Sequence, residues 1–180
     1  MQYRRARIRG GTYFFTVITY KRRKIFCDPE NIELLRSAFR RVIKLYPFKI
    51  DTFILVPDHL HCIWTLPEGD KDYPARWRLI KTFFTKRCQD HYKQIQSESR
   101  IKKKEQAIWQ RRYWEHLIRD EEDLRKHVEY IHYNPVKHEW ARAPLDWQYF
   151  SFHRYVRDGI YDESWGARME IHFDDDIGYE

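Results

Sequence analysis

The spacing of apolar positions changes several times along this 180-residue chain, and each change marks an element. Tyr13-Phe14-Phe15-Thr16-Val17-Ile18-Thr19-Tyr20 is dense in aromatic and β-branched residues and predicts a strand. The spacing then lengthens. Ile32, Leu35, Phe39, Val42 and Ile43 recur at helical intervals, with Asp28 as N-cap, Pro29 in the first turn and Pro47 as the stop. Residues 48–56 return to a strand pattern, Pro57-Asp58 makes a tight turn, and residues 59–66 form the hairpin partner. A second helix is expected over about 74–92, with Trp77, Ile80, Phe83 and Phe84 as its buried stripe. Residues 97–106, with Lys102-Lys103-Lys104, read as an exposed, mobile loop. A strand fits within 109–118. Asp120 caps a third helix that runs to about Tyr133, and Pro135 ends it.

The order is strand, helix, strand, strand, helix, strand, helix. A hairpin at its centre predicts an antiparallel sheet with helices packed on one side, an α+β sandwich of ferredoxin-like kind. The length suits one domain, and 42% hydrophobic with 17% aromatic residues describes a folded chain.

Charge narrows the function. The chain carries a formal +7, which favours a polyanionic partner, nucleic acid before others. The charge is also one-sided. Arg4, Arg5, Arg7, Arg9, Lys21, Arg22, Arg23 and Lys24 precede the first acid, Asp28. Gly10-Gly11-Thr12 interrupts this basic arm (residues 1–12), either to let backbone approach a ligand or simply to turn. Arg78 and Lys81 lie off the apolar stripe of the second helix. Arg111, Arg112, His153 and Arg154 sit among aromatic residues, a mixture suited to stacking on bases and pairing with phosphates. The stretch 170–180 is acidic. It is either a solvated end or a competitor with phosphate for the basic face. Cys27, Cys62 and Cys88 form no CxxC pair, and no segment reaches the ~20 apolar residues of a membrane span. A cytoplasmic protein without a membrane partner is expected.

The chemistry starts at Val56-Pro57-Asp58-His59-Leu60-His61-Cys62-Ile63-Trp64. On a strand, His59 and His61 share one face, and Leu60 and Cys62 take the other. Two imidazoles side by side are half of a metal site, or else a strand cap and a satisfied polar residue. The third helix adds Tyr130 and Asn134, four apart and on one face. An amide oxygen joined to two imidazoles, with positions left open, suits Mg2+ or Mn2+ better than structural zinc. A tyrosine beside such an ion could attack a phosphodiester through its phenolate, given nearby positive charge, or could be one more core tyrosine.

The chain resembles the REP-associated tyrosine transposases, a bacterial group within the single-tyrosine HUH endonucleases. Five stretches carry the resemblance in family order between about residues 3 and 166. They are Arg4-Arg5 with Ile8-Arg9-Gly10-Gly11-Thr12-Tyr13-Phe14-Phe15-Thr16; Leu55-Val56-Pro57-Asp58-His59-Leu60-His61-Cys62-Ile63-Trp64; Ile108-Trp109-Gln110-Arg111-Arg112-Tyr113-Trp114-Glu115-His116; Tyr130-Ile131-His132-Tyr133-Asn134-Pro135-Val136-Lys137-His138; and Ser151-Phe152-His153-Arg154. The basic loop at 97–106 and the acidic tail (residues 170–180) fall outside it. The resemblance implies that the whole chain is one HUH-nuclease domain. It implies His59 and His61 as the metal pair, Asn134 as third ligand and Tyr130 as nucleophile. It further implies cleavage of single-stranded DNA beside a repetitive extragenic palindromic (REP) hairpin, leaving a 5′-phosphotyrosine and a free 3′-hydroxyl. The arginine arm and Gly10-Gly11-Thr12 would then read a short tetranucleotide at the hairpin foot. A monomer is expected, with a dimer left open.

Two other readings fit the residues: a hairpin-binding protein that has lost cleavage, and a small metal-dependent hydrolase whose tyrosine is structural.

Overall fold

A computed structural model of the chain describes residues 7–93, 97–103, 105–174 and 177–178. Arg4 and Arg5, assigned above to DNA, lie outside the described residues. Four strands form one antiparallel sheet: β1 (Thr12–Ile18), β2 (Lys49–Val56), β3 (His59–Thr65) and β4 (Trp114–Leu117), in the order β2-β3-β1-β4. The helices are α1 (Pro29–Leu45), α2 (Tyr73–Arg87), the short α3 (Glu98–Lys102), α4 (Glu121–Lys137) and the short α5 (Phe152–Arg157). Among the described residues no helix is long and apolar enough to cross a membrane.

Alternation along the strands sorts the side chains into two apolar layers. Phe15, Leu60, Cys62 and Trp64 face α1 and α2, where Trp64 stacks on Trp77 with ring centroids 4.3 Å apart. Phe14, Ile54, Val56 and Ile63 face the other way and pack against Val128, Tyr130 and Ile131 of α4. Helices therefore cover both faces, not the single face expected. The reason is visible in the strands themselves. Strands buried on both faces are apolar at consecutive positions, as Tyr13-Phe14-Phe15 in β1 and Ile54-Leu55-Val56 in β2 are.

Two more expectations are corrected. Pro135 lies inside α4, which continues to Lys137. A proline removes one backbone donor, but the last carbonyls still find partners. His138 N–H donates to the Asn134 carbonyl at 3.1 Å, and Trp140 N–H to that of Pro135 at 2.9 Å. The stretch 97–106 is not simply a loose loop either. Its α3 sends Arg100, a buried residue, to the carbonyls of Gln106 and Trp109 and over the Tyr20 ring.

Candidate active site

Cross-strand register builds the histidine pair. Thr16 on β1 stands opposite His61, and Ile18 opposite His59, all on the face that α4 covers. Both imidazoles are fully buried, with their Nε2 atoms 3.2 Å apart. Each ring is held from behind. Asp58 Oδ1 lies 2.7 Å from His59 Nδ1, and Thr16 Oγ1 lies 2.9 Å from His61 Nδ1. The Thr16 hydroxyl donates to the Gly178 carbonyl at 3.4 Å, which leaves its oxygen to accept the His61 Nδ1 proton. A carboxylate on the other ring takes the His59 Nδ1 proton in the same way. With both Nδ1 protons so held, both Nε2 lone pairs would be available to one shared ion.

Two nitrogens bound cis to one ion, about 2.1 Å from each, stand roughly 3 Å apart. The observed spacing thus fits a shared divalent ion. Burial pushes the Asp58 carboxyl up, but its hydrogen bond to His59 and the Arg22 guanidinium at 3.0 Å outweigh this and hold it below its ordinary value.

Helix geometry brings the tyrosine to the pair. At 100° per residue, Asp123, His127, Tyr130, Asn134 and Lys137 form one stripe along α4. Tyr130 is 1% exposed, its ring centroid is 5.3 Å from that of His61, and Phe14 meets both rings. Asn134 follows one turn later and is fully buried. Lys137 Nζ donates to the Tyr130 hydroxyl at 3.0 Å and lies 4.6 Å from its ring centroid. His138, at the end of the helix, sets its ring 5.9 Å from that of His59.

The C-terminal tail lies on this same site. Phe173 meets the Tyr130 ring edge to face at 5.4 Å, and the Tyr130 hydroxyl donates to the Gly178 carbonyl at 3.5 Å. Gly178 has φ +80°, and any side chain there would collide with the tyrosine ring. Lys126 pairs with Asp174 at 3.3 Å. At the described positions the tail is therefore not a solvated end: Phe173 and Gly178 pack on Tyr130.

His116, Asp123 and His127 form a second cluster, with ligand atoms within 4.8 Å of one another. The His116 and His127 rings stack at 4.5 Å with planes 17° apart. In-plane lone pairs of stacked rings cannot converge on one ion. The cluster is instead a hydrogen-bonded tie between β4 and the start of α4. Asp123 accepts from His116 Nε2 at 2.9 Å and from the Arg119 backbone N–H and Nε, while His127 Nδ1 donates to the Asp123 carbonyl at 2.8 Å. Burial would raise the Asp123 pKa, but these donors bring it down to about 2.

The described residues assigned to DNA fall in three places. Arg7 and Arg9 are exposed beside the Gly10-Gly11-Thr12 turn. That turn folds back on the body: Gly10, at φ +66°, donates to the Asp70 carbonyl, and Gly11 packs so closely on Tyr13 that a Cβ would meet its ring at 2.9 Å. Thr12 Oγ1 lies 2.9 Å from Thr65 Oγ1. Arg78, Lys81 and Arg111 line a groove of about 570 Å³ between α2 and residues 105–113, on the sheet face away from Tyr130; Arg112 is exposed next to it. His153 and Arg154 sit at the β2 edge, where His153 Nε2 donates to the Trp147 carbonyl and Arg154 to that of Asp51.

The sequence reading missed Thr16, Asp58, Lys137 and the tail as neighbours of the site. Cross-strand register would have exposed Thr16, and the i+7 spacing would have exposed Lys137. Asp58 was read only as a turn residue. No pattern in the sequence points the tail at Tyr130.

Comparison with known proteins gives the family. Residues 9–134 match the family described as Transposase IS200 like. The chain is 44% identical to the REP-associated tyrosine transposase of Escherichia coli (strain K12) over 92% of its own length and 91% of that protein's. It is 42% identical to a Haemophilus influenzae protein named for the same group, over 97% and 98% of the two lengths. A solved REP-associated tyrosine transposase, bound to a REP hairpin, superposes with a TM-score of 0.79 at 40% identity and covers 96% of this chain and 94% of its own. With family match, full-length relatives and fold in agreement, this chain belongs to the IS200-like transposases and, among them, to the REP-associated tyrosine transposases.

Proposed function

We propose that the protein cuts and rejoins single-stranded DNA at REP-type hairpins in the cytoplasm, through a covalent phosphotyrosine at Tyr130 and with a divalent ion, Mg2+ or Mn2+. The observation that carries this reading is the buried His59–His61 pair with the Tyr130 ring against it. His59, His61 and Asn134 would hold the ion, which when bound supplies Lewis-acid polarisation of the scissile phosphate. The chain's own residues do the rest. Asp58 and Thr16 fix the imidazoles. The Tyr130 oxygen attacks phosphorus, the bond to the 3′-oxygen breaks, and a 5′-phosphotyrosine remains beside a free 3′-hydroxyl. Because the phosphodiester is exchanged and not hydrolysed, a second 3′-hydroxyl can reverse the step without ATP. The arginine arm, Gly10-Gly11-Thr12 and the cations Arg78, Lys81, Arg111, Arg112, His153 and Arg154 would hold the hairpin and its single-stranded flank.

The hairpin-bound relative supports DNA of this kind as substrate. Incubation with REP hairpin DNA and Mn2+, followed by a denaturing gel, should give a protein–DNA conjugate. Tyr130→Phe should abolish the conjugate and cleavage while hairpin binding persists. Full cleavage by Tyr130→Phe would point to hydrolysis instead.

One observation favours a second reading, a hairpin-binding protein held inactive: the tail covers the phenol. Wild-type protein that binds the hairpin and yields no conjugate with either ion would decide for it.

A further inference from the structure

Lys137 stands in the last turn of α4, where a cation also complements the negative end of the helix dipole. That alone would leave its ammonium at the helix end. Instead the side chain runs back toward the N-terminus and places Nζ 3.0 Å from the Tyr130 hydroxyl. The phenol is buried and Lys137 is an exposed residue, so the ammonium sits where buried phenol meets the surface. Around the hydroxyl the roles are divided: its own proton points to the Gly178 carbonyl, and its lone pair receives the Lys137 N–H.

We propose that Lys137 is a second catalytic residue, a fixed cation that stabilises negative charge on the Tyr130 oxygen as it attacks the phosphodiester and again as it leaves. The proposal rests on Tyr130 being the nucleophile. In the cut, the bond from the Tyr130 oxygen to phosphorus forms as the bond to the 3′-oxygen breaks; the phenolic proton passes to water, and the 3′-oxygen takes a proton from water. In the rejoining, a 3′-hydroxyl attacks phosphorus, loses its proton to water and expels the Tyr130 oxygen. The ammonium keeps its protons throughout and directs one at the tyrosine oxygen in both steps. A charge-assisted hydrogen bond acts most strongly where charge is greatest, so its contribution belongs to the rate of transfer and not to DNA affinity.

The test compares wild type, Lys137→Met, Lys137→Arg and Tyr130→Phe in single-turnover cleavage of hairpin DNA with Mn2+, and in rejoining from the isolated conjugate. Lys137→Met should slow both steps about 10- to 100-fold, the range expected from losing one hydrogen bond to a charged group. Lys137→Arg should recover most of the rate. DNA affinity, the Mn2+ midpoint and the thermal midpoint should stay at wild-type values. A Lys137→Met protein that transfers strands at the wild-type rate overturns the proposal, and so does one whose loss of rate follows its loss of DNA affinity. Cleavage by Tyr130→Phe would strike instead at the nucleophile assignment, whatever Lys137 does.

Discussion

Replacing Asp58 by alanine should separate the support of the metal pair from the pair itself. The carboxylate touches His59 Nδ1 at 2.7 Å, in a pocket where the imidazole has no exposed surface. It therefore fixes both the ring's rotation and the proton that leaves Nε2 free to bind. Loss of such an outer partner typically weakens metal binding about 10- to 100-fold. That is roughly 1.4–2.7 kcal/mol at 1.36 kcal/mol per factor of ten. The same change strips a buried N–H of its acceptor, at a cost of about 1–3 kcal/mol in fold stability. Conjugate formation on hairpin DNA across a Mn2+ titration reads the first quantity, and urea unfolding without metal reads the second. The midpoint should rise 10- to 100-fold. Thr16→Val removes only a neutral partner of His61 and should move it less. Arg22→Met should move it least, since Arg22 is 41% exposed and touches the carboxylate's other oxygen. A folded Asp58→Ala protein with the wild-type midpoint would refute the assignment of His59 and His61 as a braced metal pair.

Ending the chain after His172 removes Phe173 and Gly178 from Tyr130 and should raise the initial rate of conjugate formation; an unchanged rate in a stable protein would show that the tail yields freely to DNA. Asp123→Asn tests the tie between β4 and α4. A carboxyl depressed from 3.8 to about 2 contributes stability that is fully present above pH 3.8 and lost as pH falls through 2. The variant should unfold about 2 kcal/mol more easily at pH 7, and the gap should narrow between pH 4 and 2. A gap of equal size at pH 7 and pH 2.5 would count against the tie.

Much of this fold could be read from local pattern because local physics decides it. Asp28 and Asp120 cap their helices as their side chains predict, accepting from Glu30 N–H and Asp123 N–H. The pleat puts His59 and His61 on one face. Tyr130 and Asn134 share a helical stripe because they are a turn apart. What failed was non-local. Which layer covers which sheet face depends on packing between distant segments, so the position of α4 opposite α1 and α2 was not legible. Pro135 carries a strong local stop signal, yet the carbonyls of Asn134 and Pro135 found donors in the His138 and Trp140 N–H groups and the helix ran on. The basic stretch around Arg100 looked solvated because the carbonyls of Gln106 and Trp109 that hold its guanidinium do not show as residue types. The tail's place on Tyr130 rests on the Phe173 ring and on the backbone of Gly178, a pairing of distant segments that no composition reveals.

The outer border of β2 is already stitched. Leu55 N–H reaches the Tyr149 carbonyl at 2.8 Å, Ser151 N–H reaches that of Phe53 at 2.8 Å, and Ile54 bridges Phe150 between them. His132 Nε2, 2.9 Å from Ser151 Oγ, bolts the stitch from the α4 side. Burial, then the nearby charge of Arg154, lowers the His132 pKa to about 3, so that fastening stays neutral through ordinary acidification. A second molecule seeking to lengthen the sheet across this border would first have to unpick residues 149–151, and with them the link to the helix that carries the tyrosine.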